Sequence, residues 1–306
     1  MTTYDTSDVT TEVATPYVFS ATEVARIQAS LTRNGLAVIR GFIPPADLRE
    51  LQASARTATE RGYSYGREVG CNAATTVTAA AQEFRHPFLV SATATRLATN
   101  GPLLDVMEEI MGEKAIIHHG LFQRSLPLEN AVLDWHIDTG SNKSLNGRQK
   151  FEDLRVRMIV YLTDVTNGGF SYIVESGKAA LKAFYPLPAG ELFPEDQIPG
   201  DLSRRVTVNE RAGAIILFNT HGLHRPEVPK TERMVLNVWF ARRDFSGKLP
   251  PALVSMNLVP NEQRDRAYIF ANERGYDPLK AGAGADAQPV SFTQRVARRL
   301  ARSLAG

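Results

Sequence analysis

Two side chains in the middle of the chain have the types and spacing to share a metal ion. They are His136 and Asp138, within Leu133-Asp134-Trp135-His136-Ile137-Asp138-Thr139. The stretch reads as a β-strand running into a loop. On a strand, residues i and i+2 leave from the same face, so an imidazole and a carboxylate can converge from one rigid element. Such a pair supplies two corners of the two-histidine, one-carboxylate triad found at non-haem Fe(II) sites. The third corner must be a histidine from elsewhere. The segment Gly213 to Pro226 ends a strongly apolar strand with two candidates, His221 and His224. Arg233 then opens the next strand, Met234 to Phe240. If that strand pairs antiparallel with the one ending at His224, Arg233 falls near the metal. A guanidinium there is a fork-shaped partner for the distal carboxylate of a bound dicarboxylic acid.

The elements that must position these residues follow from local patterns. Ser20-Ala21-Thr22-Glu23 has capping-box spacing, with Val24, Ile27 and Leu31 as an apolar stripe and Gly35 as a left-handed stop. Leu36 to Ile43 reads as a strand, and Pro44-Pro45 opens a helix that turns Leu48, Leu51 and Ala55 inward. Residues 63–85 are irregular. Pro102 to Met111 is helical, with Gly112 behind it. From Ala115 onward short strands dominate: 115–122, the His136 strand, 156–162, 170–174, 206–208, 214–218 and 234–240. Asn167-Gly168-Gly169 is a turn. Short strands without long intervening helices predict an antiparallel barrel or sandwich. Loops at 63–85, 139–152 and 176–203 are placed to shape a pocket.

Composition narrows the class. The chain has 306 residues, 43% hydrophobic and 22% charged, which is ordinary for a globular protein. A net charge of +2 gives no bias toward nucleic acid. The one cysteine, Cys71, excludes an intramolecular disulfide framework. No apolar run reaches the length of a membrane span. The expected organisation is a disordered leader at 1–15, one domain over 16–280, and a tail at 281–306. The tail joins a Gly/Ala linker to a basic amphipathic helix with Phe292, Val296, Leu300 and Leu304 on one face. A cytoplasmic protein with a small-molecule substrate is expected, with no nucleic-acid or integral-membrane partner and with homo-oligomerisation open.

Taken together, these motifs resemble the phytanoyl-CoA dioxygenase family of Fe(II)/2-oxoglutarate oxygenases. The family's G-x-x-V-I-x-G-F strand is matched by Gly35 to Phe42, and W-H-x-D by Trp135 to Asp138. A strand ending L-x-D is matched by Leu162 to Asp164, followed by Gly168-Gly169. The family's spacing from the glycine that opens the strand to the distal histidine is met by Gly213 and His224, not His221. Val174-Glu175-Ser176-Gly177-Lys178 stands where members often carry Pro-Gly-Ser-His. The resemblance spans residues 20 to 242. It implies a mainly β fold with flanking helices around a double-stranded β-helix (jelly-roll, cupin-like) core at 115–242. It implies Fe(II) held by His136, Asp138 and His224, with 2-oxoglutarate and O2 as cosubstrates and Arg233 on the 2-oxoglutarate. Gln123 is placed to reach that cosubstrate.

The implied reaction couples decarboxylation of 2-oxoglutarate to succinate with oxidation of a substrate C–H bond. A carboxylate at Asp138 argues for hydroxylation or desaturation, because halogenating relatives leave that position open to chloride. Arg155 and Arg157 share a face that could bind an anionic substrate group. His118 and His119 point to opposite faces of their strand, so at most one faces the barrel, and His119 is the substrate candidate. Two rival readings are a metal hydrolase or cupin-type enzyme using His118, His119 and His136 with zinc, and a non-catalytic jelly-roll binding protein. A biosynthetic tailoring role is the expectation carried forward.

Overall fold

The computed structural model describes residues 18–60, 75–77, 81–127, 135–138, 155–177, 198, 202–242, 252 and 254–270. The leader at 1–15, the loop at 139–152, most of 63–80 and 176–203, Cys71 and the C-terminal tail lie outside them.

Among the described residues, four α-helices precede most of the sheet. Helix α1 (Val24–Asn34) ends at Gly35, whose φ of 77° lets its N–H reach Leu31 O. Ser20 and Glu23 do interact, through Ser20 N and Oγ to Glu23 Oε2 at 2.7 and 2.9 Å, but the helix begins only at Val24. Helix α2 (Pro45–Glu60) buries Leu51 and Ala55 as its stripe predicts. Helix α3 (Ala92–Ala98) was not anticipated. It is short, and its start is fixed by Ser91 Oγ accepting from Ala94 N. Glu50 on α2 in turn accepts from Ser91 Oγ and from Ala92 and Thr93 N–H. Helix α4 (Gly101–Met111) is capped by Asn100 Oδ1 and stopped by Gly112 in the left-handed region.

The strands are β1 (Val18–Ser20), β2 (Leu36–Arg40), β3 (Thr75–Val77), β4 (Ala81–Arg85), β5 (Ala115–Ser125) and β6 (Arg155–Tyr161). They continue as β7 (Phe170–Ile173), β8 (Arg205–Val208), β9 (Ile215–Asn219), β10 (His224–Pro226) and β11 (Arg233–Arg242). The larger sheet has the order β1-β2-β9-β6-β11-β5-β4-β3, and the smaller β10-β7-β8. Only β1 and β2 pair in parallel; the remaining pairs among the described residues are antiparallel. Strands β3 and β4 fall in the region read from sequence as irregular.

Period-2 alternation sorts the strand residues into two cores. Met158 and Val160 of β6, Leu217 of β9 and Leu236, Val238 and Phe240 of β11 face the helices. Their strand neighbours Ile159, Tyr161, Ile216, Phe218 and Val235 face the smaller sheet and pack with Phe170, Tyr172 and Val208. Two sheets with a shared apolar filling and helices on one outer face make a jelly roll, the form of sandwich that the family resemblance implies. No described helix is long and apolar enough to cross a membrane.

Candidate functional site

The filling between the sheets is incomplete at one end, where a cavity of about 360 Å³ opens. Its floor is the inner face of the larger sheet, where β6, β11 and β5 lie side by side. Its roof comes from β7, β10 and the Trp135–Asp138 segment.

That segment is held by backbone geometry. His136 and His224 form an antiparallel bridge with reciprocal N–H···O bonds of 3.0 Å, and Asp138 N donates to Thr220 O at 3.1 Å. The turn between β9 and β10 is equally constrained. Tyr172 Oη donates to Asn219 O at 3.2 Å, and Gly222 N to the same carbonyl at 3.1 Å. A Cβ on Gly222 would collide with the Tyr172 hydroxyl. Trp135 points away from the cavity, fully buried with Ile137, Ile173 and Leu223, which is the packing role its aromatic bulk suits.

The metal-ligand candidates therefore meet. Asp138 Oδ1 lies 3.8 Å from His136 Nε2 and 3.6 Å from His224 Nε2. One donor atom from each of the three residues falls within 4.8 Å of the others, an arrangement that could hold a metal ion. His224 Nδ1 lies 2.8 Å from Gly222 O. A carbonyl can only accept, so Nδ1 carries a proton, and Nε2 is the nitrogen left to bind a metal. That Nε2 is buried and takes no hydrogen bond, as a metal-facing imidazole nitrogen should be. Phe170 and Phe218 flank the ring at centroid distances of 5.8 and 4.8 Å.

The second carboxylate oxygen of Asp138 is engaged from the floor. Trp239 Nε1 donates to Oδ2 at 3.2 Å, and Arg157 Nη1 lies 3.5 Å away. The Arg157 guanidinium stacks over the Trp239 ring, 3.9 Å from its centroid. Burial alone would raise the Asp138 pKa. The imidazole of His224, the Arg157 cation and His136 outweigh it and hold the carboxyl well below its ordinary range. His119 packs against Trp239 with the rings tilted by 56° and their centroids 4.7 Å apart. Its pKa is pushed down to about 4 by burial and by the charges of Arg85 and other neighbours, so it sits neutral.

Arg233 lines the other end of the cavity. Its Nη1 donates to the carbonyls of Gly168 and Glu227, while no described partner takes Nη2. The sequence reading placed it there by pairing β11 with the strand before His224. That pairing is not formed: β11 lies between β5 and β6, and His224 belongs to the opposite sheet. Arg233 reaches the cavity from the floor, facing the roof rather than extending it. Gln123 also lines the cavity, with Oε1 accepting from Asn237 Nδ2 at 3.1 Å. His221 is buried but does not line the cavity. The side chains of His118 and Arg155 lie outside the described residues, and His119 stands apart from the three-residue group, against Trp239.

Sequence reasoning missed Trp239, Asn237 and Glu83, all of which line the cavity. The first two were findable. Once Arg233 faces inward, alternation along β11 sends Val235, Asn237 and Trp239 the same way. Glu83 was not, because β4 was not recognised.

Fold and site together define a jelly-roll protein with a histidine–aspartate–histidine pocket between its sheets. The sequence profile of the phytanoyl-CoA dioxygenase (PhyH) family matches residues 31–241, and the chain belongs to that family. Comparison with curated proteins finds no match. Several solved structures share the fold. One is the non-haem alpha-ketoglutarate-dependent epimerase SnoN from nogalamycin biosynthesis, with TM-score 0.53 and 18% identity over 78% of this chain and 88% of that one. Another is EctD from S. alaskensis with 2-oxoglutarate and 5-hydroxyectoine, with TM-score 0.57 and 19% identity over 83% and 84%. EctD with bound Fe aligns with TM-score 0.57 and 17% identity over 74% and 79%.

Proposed function

We propose that the protein is an Fe(II)- and 2-oxoglutarate-dependent oxygenase that oxidises a C–H bond of a small molecule. The observation that carries this reading is the convergence of His136, Asp138 and His224 on one cavity that also contains Arg233. Family membership supports it, as do the iron and 2-oxoglutarate of the EctD structures.

His136, Asp138 and His224 would hold Fe(II), and their three-ligand set leaves coordination positions for other groups. With O2 and 2-oxoglutarate, the iron supplies the oxidising power, and the cosubstrate leaves as succinate and CO2. The protein's own share is positional. Trp239 and Arg157 occupy Oδ2 of Asp138, which leaves Oδ1 to face the two imidazoles. The Gly222 carbonyl fixes the His224 tautomer. Arg233 presents Nη2 to the distal carboxylate of the cosubstrate, and Gln123 has Nε2 free of its Asn237 bond for the same molecule. Phe170, Ile159 and Val235 give the pocket apolar walls that limit water.

Asp138 keeps the carboxylate corner filled, which favours hydroxylation or another C–H oxidation over halogenation. The fold neighbours include an epimerase as well as a protein holding a hydroxylated product. Succinate release therefore tests the class, and product analysis tests the outcome. Protein reconstituted anaerobically with Fe(II) and 2-oxoglutarate should form succinate when O2 is admitted. Absence of 2-oxoglutarate turnover, both with candidate substrates and without them, would overturn the reading.

A further inference from the structure

Among the described residues that line the cavity, four carry charge: Glu83, Asp138, Arg157 and Arg233. They sum to zero. A ferrous ion and the 2-oxoglutarate dianion also cancel, so these residues leave no net charge for a charged substrate to neutralise. The charges are nevertheless separated in space. Arg233 stands at the cosubstrate end, Arg157 stands beside Trp239, and Glu83 lies on β4 at the far side of β5.

Besides His224, whose bare Nε2 faces the metal site, two cavity residues carry a buried polar atom with no partner. Asn237 is 1% exposed, and its Oδ1 accepts no hydrogen bond. Arg157 Nε donates none. Leaving such groups bare is costly, so each points to a ligand that completes it. Asn237 stands opposite Ile159, and Arg157 opposite Trp239, so the two are diagonal neighbours on adjacent strands. Diagonal positions lie roughly 7–8 Å apart on one face. Gln123 fixes which atom Asn237 offers, because its Oε1 takes the Asn237 Nδ2 donor. Glu83 pairs with Gln123 in register; among the described residues its carboxylate makes no hydrogen bond or ion pair, and its charge is felt by Arg157. Across this floor an acceptor edge, Asn237 Oδ1 and Glu83, adjoins a donor, Arg157.

From this juxtaposition we infer that the substrate is a small zwitterion of the amino-acid kind. Its protonated amine faces Asn237 Oδ1 and Glu83, and its carboxylate faces Arg157. The inference rests on the oxygenase reading of the same cavity and names its substrate class. The volume of about 360 Å³ must also admit the cosubstrate, which favours a compact molecule over a long acyl chain.

The test uses the full chain and three matched sets: free α- and β-amino acids, the same compounds N-acetylated, and the same compounds as methyl esters. Succinate release in the absence of any of them reports the underlying chemistry. Stimulation of that release above background reports the substrate. Saturation-transfer NMR on zinc-loaded protein reports binding without turnover. Free amino acids should bind and stimulate, and blocking either end should abolish both effects. Asn237→Leu and Glu83→Gln should each raise the KM of the stimulating amino acid about tenfold, the loss of one hydrogen bond to a charged group. The inference is overturned if blocked compounds act as well as free ones, or if no free amino acid binds. It is also overturned if Asn237→Leu and Glu83→Gln leave that KM unchanged. Binding of free amino acids without any 2-oxoglutarate turnover would instead sink the oxygenase reading and leave the zwitterion subsite standing.

Discussion

At the scale of single residues, the site depends on which histidine turns inward. His221 and His224 are both buried, yet only His224 shares the cavity with His136 and Asp138. His224→Ala should therefore abolish stoichiometric Fe(II) or Co(II) binding measured by anaerobic titration, while His221→Ala should retain it. The reverse result would reassign the third ligand. Trp239 acts one step further out. Trp239→Phe keeps the ring and removes the N–H that holds Asp138 Oδ2, and groups of that kind typically contribute 10–100-fold to metal affinity. About tenfold weaker metal binding with an unchanged melting temperature is expected. An unchanged affinity would show that Arg157 alone suffices to orient the carboxylate.

The sequence made the candidate ligands legible because their chemistry is written in residue type and local spacing. His136 and Asp138 share a face by strand periodicity alone, and the glycine-to-histidine spacing of the family singled out His224. Trp239 and Asn237 needed one more inference, the inward phase of β11, which only Arg233 could supply. The pairing of β11 was misread because sheet order is a long-range property. Neighbouring strands in the chain, β9 and β11, are separated in the sheet by β6.

At the scale of elements, the β9–β10 turn transmits the fold to the site. Asn219 accepts from Gly222 and from Tyr172, and the Gly222 carbonyl in turn sets the His224 tautomer. Tyr172 is fully buried in the filling between the sheets, and burial pushes its pKa well above the ordinary phenol range, so it stays a neutral donor. Gly222→Ala would drive a methyl group into that hydroxyl. Overpacking of this sort costs about 1–3 kcal/mol. A lower midpoint in denaturant, together with weaker metal binding, is expected. A stable variant with weakened metal binding only would place the strain in the turn itself. Helix α3 went unread in the sequence because its short run has no extended apolar stripe. Its start depends instead on Ser91 and on Glu50 from another helix.

At the scale of the whole molecule, two sheets enclose the site while helices cover the outer face of one of them, so stability and function draw on opposite faces of the same strands. A titratable group outside the metal-ligand cluster is His86, which follows β4 and whose left-handed backbone has φ of 66°. Burial, reinforced by the charge of Arg85, depresses its pKa from 6.5 to about 4. The unfolded chain takes up this proton near pH 6.5 and the folded chain only near pH 4, so the unfolded state binds more protons in between. Stability is therefore complete above the higher value and is lost as pH falls toward the lower, by at most about 1.4 kcal/mol per unit for this residue. His86→Asn, which tolerates the left-handed conformation, should flatten the decline in melting temperature across that window. An unaltered slope would assign the acid sensitivity elsewhere.

The central claim is that the roof ligands and the floor arginine serve one cavity, where metal and cosubstrate bind together. Anaerobic titration of 2-oxoglutarate into the protein with and without Fe(II) tests it most directly. Binding should require the metal, and Arg233→Leu should weaken it by about a hundredfold while leaving Fe(II) binding intact, as expected for removal of a charge-assisted pair. Equal binding of 2-oxoglutarate to metal-free protein, or full affinity in Arg233→Leu, would contradict the account.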